Sequence, residues 1–125
     1  MAGLVFGAVM SGSVDASAGS KVGYVRINLG RGHCSAAMNT KWSGHTAYVQ
    51  GVFYKTPGLN RVCYGWVEVN SGKGWRQVSK DTMTAGGGGR KTGWHWDGSN
   101  NSVKARVELC VVDVNIQHCG HGASW

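Results

Sequence analysis

Over residues 102–115 the chain alternates: Val103, Ala105, Val107, Leu109 and Val111 occupy every second position, with Lys104, Arg106 and Glu108 between them. A period of two sends the apolar side chains to one face of a strand and the charged ones to the other. A helix would scatter the same residues around its axis. The pattern recurs over residues 24–29, where Val25, Ile27 and Leu29 oppose Arg26 and Asn28, and over the aromatic-rich residues 46–54. Residues 61–70 place Cys63, Val67 and Val69 on one face with Gly65, while 74–79 and 91–96 read as short strands. Thr56-Pro57-Gly58-Leu59 is a turn in which Pro fixes φ at the second position and Gly tolerates positive φ at the third. Asn70-Ser71-Gly72-Lys73 makes a second turn. Beyond the N-terminal segment nothing sustains a helical apolar stripe. The expected fold is all-β: a small antiparallel β-sandwich of roughly six to seven strands, with a small β-barrel as the alternative.

The 125 residues suit one domain. Residues 2–10 (AGLVFGAVM) are apolar and too short to span a bilayer, which takes about 20 residues. Ala16-Ser17-Ala18 follows, with the small residues that signal peptidase accepts. Residues 1–18 therefore read as a secretory leader and 19–125 as a single β domain. No Lys or Arg precedes the apolar run, so a buried strand or a partner-binding arm is the competing reading. Removing residues 1–18, whose one charged side chain is Asp15, raises the formal net charge from +7 to +8.

Four cysteines, Cys34, Cys63, Cys110 and Cys119, remain in the mature chain. An even number in a short exported protein reads as a disulfide framework with three possible pairings. Cys34–Cys63 and Cys110–Cys119 are favoured, the second closing a short ring at the end of an apolar strand. Loop-closure entropy assigns roughly 2.5 to 3 kcal/mol to the short ring and about 3.5 kcal/mol to the longer one. Zinc is excluded by spacing, because no two cysteines lie two to four residues apart.

The candidate binding residues are Trp94, Trp96 and Asp97, within Gly93-Trp94-His95-Trp96-Asp97-Gly98. In a strand the two indoles share a face opposite His95 and suit stacking on sugar rings, with Asp97 accepting a hydroxyl hydrogen bond. The favoured alternative is that both indoles, like Trp42, Trp66 and Trp75, fill the sandwich core or cover its open end, since Trp usually dominates burial in small domains. Trp125 is placed at the sandwich edge.

No catalytic residue is assigned. The chain has no G-x-S-x-G, and Glu68, Asp81, Asp97, Glu108 and Asp113 show no paired-carboxylate spacing. Residues 80–91, centred on the glycines at 86–89, read as a mobile surface loop, and Arg90 stands where a P-loop needs its second glycine. His33, His118 and His121 find no further ligand or orienting partner in the pattern, so neither a metal nor a cofactor is expected. Lys and Arg are spread along the chain, which serves solubility or attraction to an acidic partner such as a wall polymer or anionic membrane. Nucleic acid is not an expected partner, for want of a basic helix or aromatic RNA motif.

Trp94-His95-Trp96-Asp97-Gly98, followed by Lys104-Ala105-Arg106-Val107-Glu108-Leu109-Cys110 and a closing Cys119, resembles small secreted actinobacterial two-disulfide β-sandwich proteins. Many of these carry an aromatic-x-aromatic-Asp-Gly turn before a Lys-Ala-Arg-Val-type strand ending in cysteine. The likeness covers the last third of the chain, with a looser match through Cys63 and Gly74-Trp75. It implies export, a β fold and disulfides, and no activity. In size, export and paired cysteines the chain is also similar to the small adaptor subunits of umbrella-shaped toxin particles, which implies a partner-docking strap at residues 19–24. The expected function is a secreted, non-catalytic interaction module without an integral membrane segment. A protein-binding adaptor in an extracellular assembly comes first, a cell-surface polysaccharide-binding module second, and a small extracellular enzyme or enzyme inhibitor third.

Overall fold

The computed structural model of the protein describes residues 21–84, 88–99, 103–113 and 116–125. The expected leader and Gly86-Gly87 lie outside the described residues. The strands are β1 (Val22–Asn28), β2 (His33–Ser43), β3 (Thr46–Lys55), β4 (Val62–Asn70), β5 (Trp75–Gln77), β6 (Thr82–Met83), β7 (Gly88–Lys91), β8 (His95–Ser99), β9 (Lys104–Asp113) and β10 (Ile116–His121). They form two five-stranded antiparallel sheets. In the first, β1, β2 and β3 lie side by side, and β7 and β8 pair successive parts of the free edge of β3. In the second, β10, β9 and β4 lie side by side, with β5 and β6 along β4. The expected sandwich is present. No helix of the described residues is long and apolar enough to cross a membrane.

The alternating runs explain the core. β4 and β9 pair so that Cys63, Gly65, Val67 and Val69 stand opposite Val111, Leu109, Val107 and Ala105. Both inward rows thus coincide on one face of the second sheet. Against them pack Cys34, Ala36 and Met38 of β2 and Val49 and Phe53 of β3. Phe53 is fully buried, and its ring fills the space left by two glycines: a Cβ on Gly51 would approach it to 2.9 Å, and one on Gly65 would collide with it. Burying each such aliphatic or aromatic side chain is worth about 1.5–3 kcal/mol.

Both favoured disulfides are present. Cys34–Cys63 joins β2 to β4 across the core, and Cys110–Cys119 links directly opposed residues of β9 and β10. At one edge the two sheets meet: a Cβ on Gly23 would lie 2.7 Å from the Ala123 carbonyl oxygen, and Trp125 exchanges backbone hydrogen bonds with Ala105. The edge position expected for Trp125 follows from that pairing. The turn at Thr56 also forms as expected, with Leu59 N–H donating to the Thr56 carbonyl at 3.1 Å and Gly58 at φ 82°.

Four expectations are revised. β2, β6 and β10 form where no strand was expected, so ten strands among the described residues replace six or seven. The run 91–96 is not one strand; β7 ends at Lys91 and β8 begins at His95. Gly88 and Gly89, expected in a mobile loop, pair with Lys55 and Tyr54. Residues 22–24, part of the expected strap, belong to β1, because Val22, Val25 and Ile27 pack against the core.

Candidate functional site

The tryptophans overturn the expectation of an indole-filled core. Trp42, Trp94 and Trp96 are exposed, Trp66, Trp75 and Trp125 are half-buried, and the core is built from Val, Ala, Leu, Met and one Phe. Trp42 and Trp125 meet edge-to-face at 5.9 Å and close one end of the sandwich. The physical reason is the narrow layer between the sheets. Gly51 and Gly65 admit one aromatic ring, and the remaining inward positions are mostly aliphatic.

Trp94 and Trp96 lie on the outer face of the first sheet. β3 alternates with Ala47, Val49 and Phe53 buried inward, so Tyr48, Gln50 and Val52 point outward. Trp96 stands opposite Tyr48, and Tyr48 stands opposite Lys41 of β2, which sets the three in one row across the sheet. Lys41 Nζ sits 4.2 Å from the centroid of the Trp94 ring and 5.9 Å from that of Tyr48. The next row holds Asn39 and Gln50, whose amides are linked: Asn39 Nδ2 donates to Gln50 Oε1 at 3.1 Å. Gln50 Nε2 donates in turn to the Thr92 carbonyl at 2.9 Å, and Thr92 Oγ1 accepts from Gly51 N–H. These bonds tie the segment carrying Trp94 to β3. The result is a patch of two indoles and a phenol on one face of the sheet, with an ammonium held beside them and amides along one side.

Asp97 does not join that patch. It is 3% exposed, and its Oδ1 has no hydrogen-bond partner among the described residues. Burial pushes its pKa up to about 7, against the pull of Lys104. It turns inward beside Gly98, which holds φ 78° and on which a Cβ would reach 2.6 Å from Val103. A ligand lying on the outer face does not meet this carboxyl. Its role as a hydroxyl acceptor therefore finds no support in the geometry.

The outer face of the second sheet is charge-compensated. Glu68 accepts from Trp66 Nε1 at 2.9 Å and from Arg106 Nε at 2.8 Å, and the Arg106 guanidinium lies 4.1 Å from the Trp75 ring centroid. Glu108 faces His121 at 3.6 Å, and burial together with Glu68 raises its pKa. Glu108, Cys110 and Cys119 bring potential metal-ligating atoms together, but both sulfurs are committed to the disulfide. The other candidate histidines are placed apart from His121. His33 contacts Thr56 and stacks at 5.6 Å on Tyr54, and His118 lines a groove of about 490 Å3 with Arg26 and Asn28.

The sequence reading singled out Trp94 and Trp96 but missed Tyr48, Lys41, Asn39 and Gln50. The outward alternation of Tyr48 and Gln50 in β3 was the one local signal, and Lys41 and Asn39 of β2 had none. Their assembly depends on the β2–β3 and β3–β8 registers, which are long-range. Comparison of the chain with protein-family models, with curated proteins and with solved structures found no match.

Proposed function

We propose that the protein is a secreted, non-catalytic binding module that holds an extracellular polysaccharide on the outer face of its first sheet. The carrying observation is the exposure of Trp94 and Trp96, at 38% and 49%, beside Tyr48 on a hydrogen-bonded sheet. Apolar surface left in water on a rigid face marks an interaction site. Indole and phenol rings suit the C–H face of a pyranose, and neighbouring amides suit its hydroxyls. Two disulfides and the apolar segment at 2–10 with Ala16-Ser17-Ala18 support an oxidising, extracellular setting. The likeness of the 94–98 and 104–110 segments to small secreted actinobacterial proteins supports the same setting.

The test is a titration of the intrinsic tryptophan emission with a panel of soluble neutral and acidic polysaccharides, paired with affinity gel electrophoresis. At least one polymer should shift emission and retard the protein. Trp94→Ala and Trp96→Ala should each weaken that binding by about tenfold, with an unchanged circular dichroism spectrum. No response to any polymer removes this reading.

A protein-adaptor role has separate support on the second sheet. Val62 and Val112 stand opposite each other and exposed, beside the similarly exposed Met83. Size exclusion of the native secreted protein, with mass spectrometry of its companions, tests that role. One reproducible companion, released by Met83→Asp, would favour it.

A further inference from the structure

The charge distribution carries the polysaccharide reading further and names the class of polymer. Between Asp15 and Glu68 the sequence has no acidic residue, yet it carries Lys21, Arg26, Arg31, Lys41, Lys55 and Arg61. In the fold this stretch supplies β1, β2 and β3, the body of the first sheet. β7 adds Arg90 and Lys91, both exposed. The one carboxyl on the strands of that sheet, Asp97, is buried and faces inward. On the second sheet Glu68 and Glu108 are matched by Arg106 and His121. On the face that bears the exposed indoles, Arg26, Lys41 and Lys91 thus have no carboxylate of their own sheet facing them, whereas Lys55 is buried and donates to the Arg61 carbonyl and Arg90 stands opposite the inward Phe53.

Their placement follows the aromatic row. Lys41 stands in the row of Tyr48 and Trp96, and Lys91 stands opposite Val52, four residues further along β3. At about 3.4 Å per residue the two rows lie about 14 Å apart, with Trp94 between them in chain order. Lys41 is also held in place. It is half-buried, and its ammonium rests on the Trp94 ring. A cation already partly desolvated and fixed over an aromatic ring loses little freedom when it pairs with an anion.

Resting on the polysaccharide reading, we propose that the first sheet binds an acidic, uronate-type polysaccharide, with a sugar ring on Trp96, its carboxylate on Lys41 and a further carboxylate along the chain on Lys91. The rings select a sugar face, and the lysines select one that carries its own charge. A phosphate chain or an anionic lipid surface offers charge without the ring face.

The experiment uses the full chain and four probes: polygalacturonate, the same polymer after carboxyl reduction, inorganic polyphosphate, and phosphatidylglycerol vesicles. Polygalacturonate should bind about tenfold or more tightly than its reduced counterpart, and added salt should erode the difference. Lys41→Gln and, separately, Lys91→Gln should each remove about threefold or more of that preference. Trp96→Ala should weaken both polymers. Equal affinity for the two polymers overturns the acidic class while the polysaccharide reading stands. Polyphosphate or vesicles bound as tightly as polygalacturonate, and indifferent to Trp96→Ala, overturn both. So does binding to none of the four together with silence across the wider panel.

Discussion

Asp97 is a carboxyl enclosed between the sheets with an unpartnered oxygen, and burial raises its pKa to about 7 from an ordinary 3.8. Between those two values the folded protein holds a proton that the unfolded chain has released. Its contribution to stability is therefore complete below about pH 4, drains away as pH rises toward 7, and stays lost above. Asn at the same position does not titrate. Thermal or urea unfolding of the two proteins from about pH 4 to pH 8 should show the native protein losing on the order of 2–4 kcal/mol relative to Asp97→Asn. Glu108, raised by burial, and His95, lowered by it, are common to both proteins, so the difference isolates Asp97. Parallel curves would place the buried proton elsewhere. Glycan binding should not follow this titration, because the carboxyl faces away from the indole patch.

At the scale of elements, the two disulfides differ in what a reductant can reach. Both sulfurs of Cys34–Cys63 lie in the core between β2 and β4. Cys119, by contrast, is on the exposed edge strand β10, with Gln117 Nε2 donating to its Sγ at 3.3 Å. Thiol exchange needs access to a sulfur. Mild reduction of the native protein followed by alkylation and peptide mapping should label Cys110 and Cys119 first, and Cys34 and Cys63 only after denaturant is added. Simultaneous labelling of all four would mean that the sandwich opens as one unit. The same strands show what local pattern can and cannot announce. β4 and β9 were legible because Val67, Val69, Val107 and Leu109 alternate with charged or aromatic partners. β2 was not, because its inward row of Cys34, Ala36, Met38 and Thr40 holds a single large apolar side chain among small and polar ones and is buried only by the packing of the second sheet against it. β10 carries no apolar stripe at all; pairing with β9 and the bridge at Cys119 define it.

The whole molecule divides its labour between an aliphatic interior and an aromatic exterior. That division was the least legible property of the sequence. Six tryptophans in a small domain favour a Trp core on volume alone, but Gly51 and Gly65 receive Phe53 and leave no space for an indole. Recognising this needs the β4–β9 register and the approach of the two sheets, neither of which is a local pattern. The pair Trp94 and Trp96 was readable as two rings on one face; which face was not. If the division is correct, stability and binding must respond to different substitutions. Trp94→Ala and Trp96→Ala remove half-solvated rings and should each change unfolding free energy by no more than about 1 kcal/mol. Phe53→Ala empties the centre of the core and should cost about 3–5 kcal/mol. Its remaining folded fraction should still bind the polymers that the platform binds. Urea unfolding of the three variants, each measured beside the glycan titration, separates the two roles. A loss of stability at Trp96 comparable to that at Phe53 would make the indole structural and take away the main support for a binding face.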